Sequence, residues 1–400
     1  TTLFRSLLNE LQAFKWQPIL EGQTVIGLKR GDAAISLEPG GQFELSGAPL
    51  VSLHDAAMEF HHHLDEVSSV GRVLGFGALG MGFNPKWTRD DVPWMPKGRY
   101  KIMREYMPKV GTLGLDMMKR SCTVQVNLDF ADEADMVRKM RVSLALQPLV
   151  GALFATSPFK EGVPTGDLSY RNRIWQDTDN QRSGPLDWAF ESFGFEQYTD
   201  WALQVPMYFV YRNGQYIDVS GASFVDFLNG QLPQLPGEVA TMADWADHLT
   251  TLFPMVRLKR YIEMRGADMG SPEMTMALPA IWTGLLYDSL ALDEAEQLVR
   301  EWTAAERAYM YQHSPRLGIR DELRPGRTLR AIAADVLKIA AGGLRRRNLT
   351  GFSGADESIY LQPLHNILDY GITHAEDLLR RYHDEWGRDI NHVYELCRIA

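Results

Sequence analysis

A chain of 400 residues with 45% hydrophobic and 23% charged residues can bury a large core, which excludes an intrinsically disordered protein. Its net charge is −10, and lysine and arginine are spread along the chain, which argues against a nucleic-acid-binding surface. The longest apolar stretch, residues 142–159, is shorter than the roughly 20 residues that span a bilayer, so it predicts a buried helix and no membrane partner.

The predicted elements run from a helix through scattered strands to a helical end. Apolar positions at helical spacing predict a first helix, and alternating patterns predict a meander of short strands after it. From Ala295 onward the pattern is helical, with capping boxes at Thr303 to Glu306 and Thr373 to Glu376. We therefore expect an α+β fold with an antiparallel sheet and a helical C-terminal third. The predicted first helix is Leu3 to Phe14, and the predicted strands are Pro18 to Leu20, Thr24 to Leu28, Ala34 to Leu37, Thr123 to Phe130, Val205 to Arg212 and Val256 to Met264.

The segment after the first strands carries two candidate metal ligands. Strand alternation places Glu44 on the face opposite Phe43 and Leu45, and Glu38 has the same parity as Glu44. Carboxylates on a sheet suit Mg²⁺, which binds oxygen ligands and retains waters or substrate phosphates. An exposed edge strand would carry the same pattern, and spacing alone favours that alternative.

A second strand carries an uncharged polar stripe. Thr123, Gln125 and Asn127 share one face, whereas Cys122 and Val124 lie on the apolar face. The stripe suits hydrogen bonding to a small zwitterion, although a half-exposed antiparallel strand explains it equally well. We interpret Cys122 as a core residue.

A third strand carries charges at every second position. Arg257, Lys259, Tyr261, Glu263 and Arg265 are predicted to share one face. A surface ladder of ion pairs would look similar and would stabilise the fold little. The functional interpretation is that Glu263 holds Mg²⁺ while the cations neutralise phosphate groups.

Two shorter segments carry weaker signals. Arg171 and Trp175 could clamp a substrate carboxylate beside an aromatic wall, although an isolated arginine is more often on the surface. Lys97, Arg99 and Tyr100 follow a turn-rich segment that suits a loop lining a cleft. No Walker loop or Gly-x-Gly-x-x-Gly occurs, so a nucleotide would need a sheet-based site.

Several long blocks, in order along nearly the whole chain, resemble the glutamate–cysteine ligases of plants and proteobacteria. The blocks are ISLEPGGQFELSGAP, WMPKGRYKIMREYMPKVGTLGLD, TVQVNLDF, VPMYFVYRNGQYID and HLTTLFPMVRLKRYIEMRGAD. The resemblance implies one catalytic domain over residues 1–400, with a curved antiparallel sheet like that of glutamine synthetase and flanking helices. It also implies cytoplasmic, ATP- and Mg²⁺-dependent ligation of the glutamate γ-carboxyl to cysteine through γ-glutamyl phosphate, the first step of glutathione biosynthesis. Two cysteines without a disulfide framework fit that reducing compartment.

The resemblance also implies roles for particular residues. Arg265, Glu263 and Arg171 would be the catalytic residues, with Arg171 binding the glutamate α-carboxylate. The metal ligands would be Glu38, Glu44 and Glu263, Arg265 would contact phosphate, and Thr123, Gln125 and Asn127 would form part of the substrate floor. Beyond what the resemblance implies, we predict Lys259 and Arg257 as further ATP phosphate contacts, and Trp175 and Tyr208 as substrate contacts beside Arg171.

The chain departs from the family pattern at its start. The family's usual first strand, with a Gly-Thr-Glu-His-Glu-Lys-Phe block, does not occur in the sequence, and we expect an upstream segment to carry it. Two alternatives stay open: another carboxylate–amine ligase of the same fold, and a catalytically silent ligand-binding relative. The expected partners are glutamate, cysteine and ATP, for a monomer or homodimer.

Overall fold

A computed structural model describes residues 2–400 of the chain. Its helices are α1 (Thr2–Leu11), α2 (Leu53–Leu74), α3 (Gly98–Tyr106), α4 (Gly114–Arg120), α5 (Glu133–Leu153), α6 (Tyr170–Trp175), α7 (Asn180–Ser183), α8 (Phe195–Gln204), α9 (Phe224–Leu228), α10 (Met242–Leu249), α11 (Pro272–Leu286), α12 (Ser289–Arg300), α13 (Ala304–His313), α14 (Leu329–Arg347), α15 (Gln362–Tyr370), α16 (His374–Asp384) and α17 (His392–Leu396). Its strands are β1 (Gln17–Glu21), β2 (Thr24–Arg30), β3 (Ala33–Leu37), β4 (Phe43–Ser46), β5 (Thr123–Leu128), β6 (Phe159–Lys160), β7 (Val163–Pro164), β8 (Phe209–Arg212), β9 (Gln215–Asp218), β10 (Val256–Leu258), β11 (Ile262–Asp268), β12 (Glu322–Arg324) and β13 (Arg327–Thr328).

The N-terminal part is the predicted helix followed by a meander. Strands β1, β2, β3 and β4 pair in chain order and antiparallel. The turns after β1 and β2 contain Gly22 and Gly31, each with φ of 60°, a left-handed conformation that glycine adopts at little cost. Leu28 and Ile35 point from the sheet into a core that α1 and α3 cover. This part of the sequence prediction is confirmed.

A second antiparallel sheet has the order β10, β11, β5. Helices α5 and α11 pack beside it, and with α14 they form the largest apolar core. The predicted buried helix is the C-terminal half of α5. Within the sheet, Met264 pairs with Val126 and Ala267 with Val124, so Arg265 and Gly266 together face the single residue Gln125. This β-bulge changes which side chains share a face after it.

Two predicted strands are wrong in detail. The segment from Val256 to Met264 is a hairpin, with β10 and β11 joined by a turn at residues 259–261. The segment from Val205 to Arg212 contributes only β8, which pairs with β9 in a separate hairpin. Among residues 2–400 the strands form separate small sheets, so the single curved sheet expected from the resemblance is not present there.

The C-terminal third is helical, as predicted. Thr303 and Glu306 form a reciprocal capping box at the start of α13. Thr373 and Glu376 form another at the start of α16. The described chain is therefore a mixed α and β fold with antiparallel sheets and many helices. Of the helices within residues 2–400, none is both long and apolar enough to cross a bilayer.

The two larger sheets are joined through α4. The side-chain amide of Gln42, just before β4, donates to the carbonyl oxygens of Met118 (3.1 Å) and Ser121 (2.9 Å). A Cβ on Gly40 would lie 2.1 Å from the carbonyl oxygen of Lys119. This close approach holds the β3–β4 loop against the segment that leads directly into β5.

Candidate active site

A cavity of about 630 Å³ lies where the β3–β4 loop, β5, α6 and β11 meet. Its polar part is lined by Glu38, Glu44, Gln125, Arg171 and Arg265. Its opposite part is apolar, with side chains from α2 and α11. A mostly apolar cavity with a few converging polar groups is typical of a small-molecule site.

Two guanidinium groups at this cavity, one buried and one half-buried, have N–H groups without a hydrogen-bond partner. Arg171 is 1% exposed, and its Nη2 donates to the carbonyl oxygen of Arg265 at 2.8 Å. Its Nε and Nη1, and the Nε of Arg265, have no hydrogen-bond partner. The Arg265 Nε lies 3.6 Å from Oε2 of Glu263, too far for a hydrogen bond. Buried donors without partners are costly, and anionic ligands would satisfy such donors. We call Arg171 and Arg265 the anion clamp.

Aromatic rings support the anion clamp. The guanidinium carbon of Arg265 lies 5.0 Å from the ring centre of Trp175 and 5.5 Å from that of Phe253. Trp175 is 4% exposed, lines the cavity and has an unpartnered indole N–H. Rings beside a guanidinium stabilise its charge and restrict its orientation.

Electrostatics favours an anion at the clamp. Burial, followed by repulsion from Arg257, lowers the pKa of Arg265 to about 9, although Glu263 acts in the opposite direction. Burial also lowers the pKa of Arg171, and Asp268 opposes that shift. An incoming negative charge would stabilise both cations.

The predicted metal ligands Glu38 and Glu44 lie together at the cavity. Burial, and next the charge of Glu38, raise the pKa of Glu44, whereas Lys97 and Arg265 act to lower it. Two carboxylates that repel each other fit a cation, and Mg²⁺ commonly uses one or two carboxylates with waters and substrate phosphates. Arg99 and Tyr100 also line the cavity, but from helix α3 and not from the predicted loop, and Lys97 does not line it.

Glu263 is paired differently from the sequence prediction. The hairpin puts Arg257 opposite Glu263, and Arg257 donates from Nε (2.6 Å) and Nη2 (3.0 Å) to the two carboxylate oxygens. Burial acts to raise the pKa of Glu263, but the charges of Arg257 and Arg265 outweigh burial and hold that pKa below its ordinary value. Within residues 2–400 no group of three or more potential ligands converges on one metal position. Glu263 therefore does not join Glu38 and Glu44 in one set.

Two predicted phosphate contacts lie away from the cavity. Arg257 is held in the ion pair with Glu263 and in hydrogen bonds to the carbonyl oxygens of Thr250 and Leu252. Lys259 lies in the turn between β10 and β11 and does not line the cavity. The reason for both corrections is the turn, which ends the alternation that placed these residues beside Arg265.

The predicted substrate contacts divide into two groups. Thr123, Gln125 and Trp175 line the cavity, and the Thr123 hydroxyl donates to the Ala267 carbonyl at 2.7 Å within the bulge. Asn127 is exposed and does not line it. Tyr208 is 1% exposed and packs on Arg182, with 3.7 Å from guanidinium carbon to ring centre. It precedes β8, which lies in another sheet, so the structure does not bring it to the site.

Cys122 and Phe253 are among the cavity residues that sequence reasoning missed. Cys122, predicted to lie in the core, lines the cavity, and burial raises the pKa of its thiol to about 11. It precedes β5, so strand alternation does not apply to it. Phe253 lies in a loop before β10, where no periodic pattern marks its direction.

Comparison with known proteins gives one family. The model of Glutamate-cysteine ligase family 2 (GCS2) matches residues 7–395. The chain is 55% identical over 391 residues to a chloroplastic glutamate–cysteine ligase of Brassica juncea, covering 97% of this chain and 75% of the relative. It is 54% identical to the chloroplastic enzyme of Arabidopsis thaliana, covering 97% and 74%. It is 53% identical to chloroplastic enzyme B of Oryza sativa subsp. japonica, covering 98% and 78%.

A solved structure is also similar, at a greater distance. It is the Pup ligase PafA of the prokaryotic ubiquitin-like modification pathway in complex with ADP, with a TM-score of 0.43 and 13% identity over 98% of this chain and 73% of that chain. That likeness is too distant to support an assignment.

The names of the relatives contradict the expected location. The sequence predicts a cytoplasmic protein, whereas these relatives are named chloroplastic. Cysteine content indicates a reducing compartment and does not identify which one.

Proposed function

The chain belongs to glutamate-cysteine ligase family 2, and on that premise we propose how its own residues carry out the family reaction. It is a glutamate–cysteine ligase, an ATP-dependent enzyme that joins the γ-carboxyl of glutamate to the amine of cysteine in the first step of glutathione synthesis. Its partners are therefore small molecules. The observation that carries the proposal is that two guanidinium groups with unpartnered N–H groups, those of Arg171 and Arg265, line the same cavity as Glu38 and Glu44.

The anion clamp binds the negative groups of the substrates. Arg171 receives the α-carboxylate of glutamate at one of its free N–H groups, Nε or Nη1, because a hydrogen bond from a guanidinium to a carboxylate is charge-assisted and strong. Arg265 faces the phosphate that is transferred. Thr123, Gln125 and Trp175 form the wall beside glutamate.

Glu38 and Glu44 hold Mg²⁺ in this proposal. Their mutual repulsion and the raised pKa of Glu44 fit a site that is completed by a cation. Waters and nucleotide phosphates would supply the remaining oxygen ligands. Bound magnesium nucleotide supplies the phosphoryl group that converts the unreactive γ-carboxylate into an acyl phosphate.

The chain's residues then act by position and charge. Arg265 stabilises negative charge on the transferred group, and the aromatic contacts hold its guanidinium in place. The cysteine amine attacks the acyl carbon of γ-glutamyl phosphate, phosphate leaves, and the amide bond forms. Holding the two reactants together supplies much of the rate.

We further propose that an additional strand completes the curved sheet of a single catalytic domain. Within residues 2–400, β4 and β5 are each at the edge of a sheet, and residues of both strands line the same cavity. Unpaired strand edges present free N–H and C=O groups that another extended segment can pair with. A segment outside residues 2–400 would join the two sheets into one. We expect a monomer or homodimer, since the clamp residues come from one chain.

The test is a ligation assay with glutamate, cysteine, ATP and Mg²⁺ that follows γ-glutamylcysteine and released phosphate together. We expect equal amounts of both products, and cysteine to be preferred over a panel of other amino acids. Preference for another amine would indicate a different carboxylate–amine ligase, and ligand binding without turnover would indicate a silent relative.

A matched pair of variants tests the role of the clamp in the same assay. Arg171→Met removes the proposed carboxylate contact and should raise KM for glutamate at least about 100-fold. Arg173→Met, two residues further along α6, should leave KM nearly unchanged, because Arg173 pairs with Asp167 away from the cavity. Equal effects of the two substitutions would contradict the assignment.

A further inference from the structure

Asp268 is a buried carboxylate that the proposed mechanism does not use. It is the last residue of β11, it is 1% exposed, and it does not line the cavity. Isolated buried carboxylates are costly, so its partners should reveal what it does.

Three donors converge on Asp268. Its Oδ2 accepts from the Ser157 hydroxyl at 2.6 Å and from the Thr156 backbone N–H at 3.0 Å. Its Oδ1 accepts from the Ser169 hydroxyl at 2.9 Å. Burial raises the pKa of Asp268, and the charge of Arg171 and the hydrogen bonds from these three donors oppose that shift.

Both hydroxyls also accept hydrogen bonds from α6. Ser157 Oγ accepts from the Arg171 backbone N–H at 3.3 Å, and Ser169 Oγ accepts from the Asn172 backbone N–H at 3.1 Å. A hydroxyl has one hydrogen to donate, and donating it to Asp268 leaves lone pairs directed elsewhere. Asp268 therefore fixes the orientation of each serine hydroxyl. That orientation sets the direction from which the hydroxyl accepts a hydrogen bond from the first turn of α6.

The contacts tie together the two segments that carry the anion clamp. Helix α6 carries Arg171, and β11 carries Arg265 three residues before Asp268. The hydrogen bond from Arg171 Nη2 to the Arg265 carbonyl links α6 to β11 directly. The hydrogen bonds of Ser157 and Ser169 to Asp268 link the same two elements a second time. Two guanidinium groups repel each other, so their spacing needs such a constraint.

The bulge brings Asp268 to this position. Asp268 pairs with Thr123, and Glu263 pairs with Asn127, two residues of the same face of β5. Strict alternation from Glu263 would put Asp268 on the opposite face of β11, because the two residues are five positions apart. The extra residue in the bulge returns Asp268 to the same face as Glu263.

We propose that Asp268 is a positioning residue: through Ser157 and Ser169 it fixes the first turn of α6 relative to β11, and so fixes the spacing of the anion clamp for glutamate. This inference rests on the proposed role of Arg171 as the partner of the glutamate carboxylate. It predicts that Asp268 governs glutamate binding more than the chemical step.

The test is to measure the steady-state kinetics of the Asp268→Asn variant. In this variant an amide NH₂ group replaces one of the two carboxylate oxygens, so a donor faces a donor. We expect KM for glutamate to rise about tenfold or more with kcat changed less than about threefold, and KM for ATP to change less than KM for glutamate. The shift in Tm that glutamate produces should shrink in parallel.

Glu357→Gln is the matched control. Glu357 is fully buried and accepts from the Leu53 backbone N–H and from Arg347, away from the cavity. Both substitutions should lower Tm without ligand, and only Asp268→Asn should raise KM for glutamate. The proposal is overturned if KM for glutamate is unchanged in Asp268→Asn, or if both variants alter all kinetic constants alike.

Ser157→Ala and Ser169→Ala decide the question if Asp268→Asn does not fold. Each removes one link and keeps the carboxylate, so each should raise KM for glutamate with little change in kcat. Unchanged KM in both would overturn the proposal. A wild-type enzyme that forms no γ-glutamylcysteine would instead overturn the proposed function itself.

Discussion

At the scale of the residue, the site depends on side chains whose charge is costly until a ligand arrives. Arg171 and Arg265 are close to each other and have unpartnered N–H bonds. Glu38 and Glu44 line the same cavity and repel each other. Magnesium nucleotide and glutamate supply the opposite charge at both places, so binding offsets the cost of the unliganded arrangement.

Arg265→Ala should lower kcat/KM roughly 10²- to 10³-fold, which corresponds to an activation barrier higher by about 3 to 4 kcal/mol. Removal of a preorganised charge-stabilising donor has an effect of this size. The measurement is the ligation rate at varied substrate concentrations. Arg260→Ala is the control, because Arg260 is exposed in the turn before β11. A loss below about tenfold in Arg265→Ala would remove this residue from the proposed chemistry.

Glu44→Gln should raise Tm at pH 7 while impairing the Mg²⁺-dependent activity. The folded pKa of Glu44 is raised by burial and by Glu38, so the folded state favours its protonated form. The charged form therefore costs stability above the raised pKa, and the cost disappears as pH falls through that pKa toward 4.5. The gain in Tm should accordingly shrink at pH 5.

Thermal unfolding of wild type, Glu44→Gln and Glu10→Gln at the two pH values measures this effect. Glu10 is exposed on α1, so its substitution should not alter Tm at either pH. A lower Tm for Glu44→Gln at pH 7 would mean that Glu44 stabilises the unliganded fold.

At the scale of the element, the β10–β11 hairpin determines what Glu263 does. The pair with Arg257 is nearly buried, with side chains 10% and 2% exposed. Arg257→Met should lower the free energy of unfolding by about 3 kcal/mol, because a buried carboxylate loses its two-point partner. Denaturant unfolding checks this, with Lys259→Met in the turn as the control. A change below about 1 kcal/mol would leave Glu263 available as a metal ligand after all.

A substitution in the β3–β4 loop tests how the two larger sheets are held together. Gly40→Ala would put a Cβ 2.1 Å from the Lys119 carbonyl oxygen, and we expect a loss of about 1 to 3 kcal/mol of stability with reduced activity. Gly342→Ala is the control, because the nearest atom to its Cβ is the end of the flexible Arg346 side chain. Denaturant unfolding of both variants should separate them, and equal stability would contradict the close contact.

Periodicity predicted most elements, and the exceptions have identifiable causes. The first meander, the buried helix and both capping boxes follow from patterns within a few residues. The turn at residues 259–261 contains Lys, Arg and Tyr and has none of the Gly, Pro, Asn or Asp residues that mark turns. For this reason the pattern predicts a single strand where the structure has a hairpin. The bulge contains Gly266, and a glycine inside a strand is a bulge signal that alternation alone does not use; the bulge changes the face on which Asp268 lies.

At the scale of the whole molecule, the site is formed by segments far apart in the sequence. The resemblance indicated Arg171, Arg265, Glu38, Glu44, Thr123, Gln125 and Trp175, and the fold brings all of them to one cavity. Their convergence could not come from spacing, because it depends on the contact between the β3–β4 loop and α4. The pairing of Glu263 with Arg257 and the burial of Tyr208 against Arg182 needed the tertiary structure.

The most direct test of the account is a structure of the enzyme with ADP, Mg²⁺ and glutamate. We predict Mg²⁺ bound by Glu38 and Glu44, the glutamate α-carboxylate within hydrogen-bonding distance of Arg171, and the nucleotide phosphates facing Arg265. Ligands bound elsewhere on the molecule, or in this cavity without contact to either guanidinium group, would contradict it.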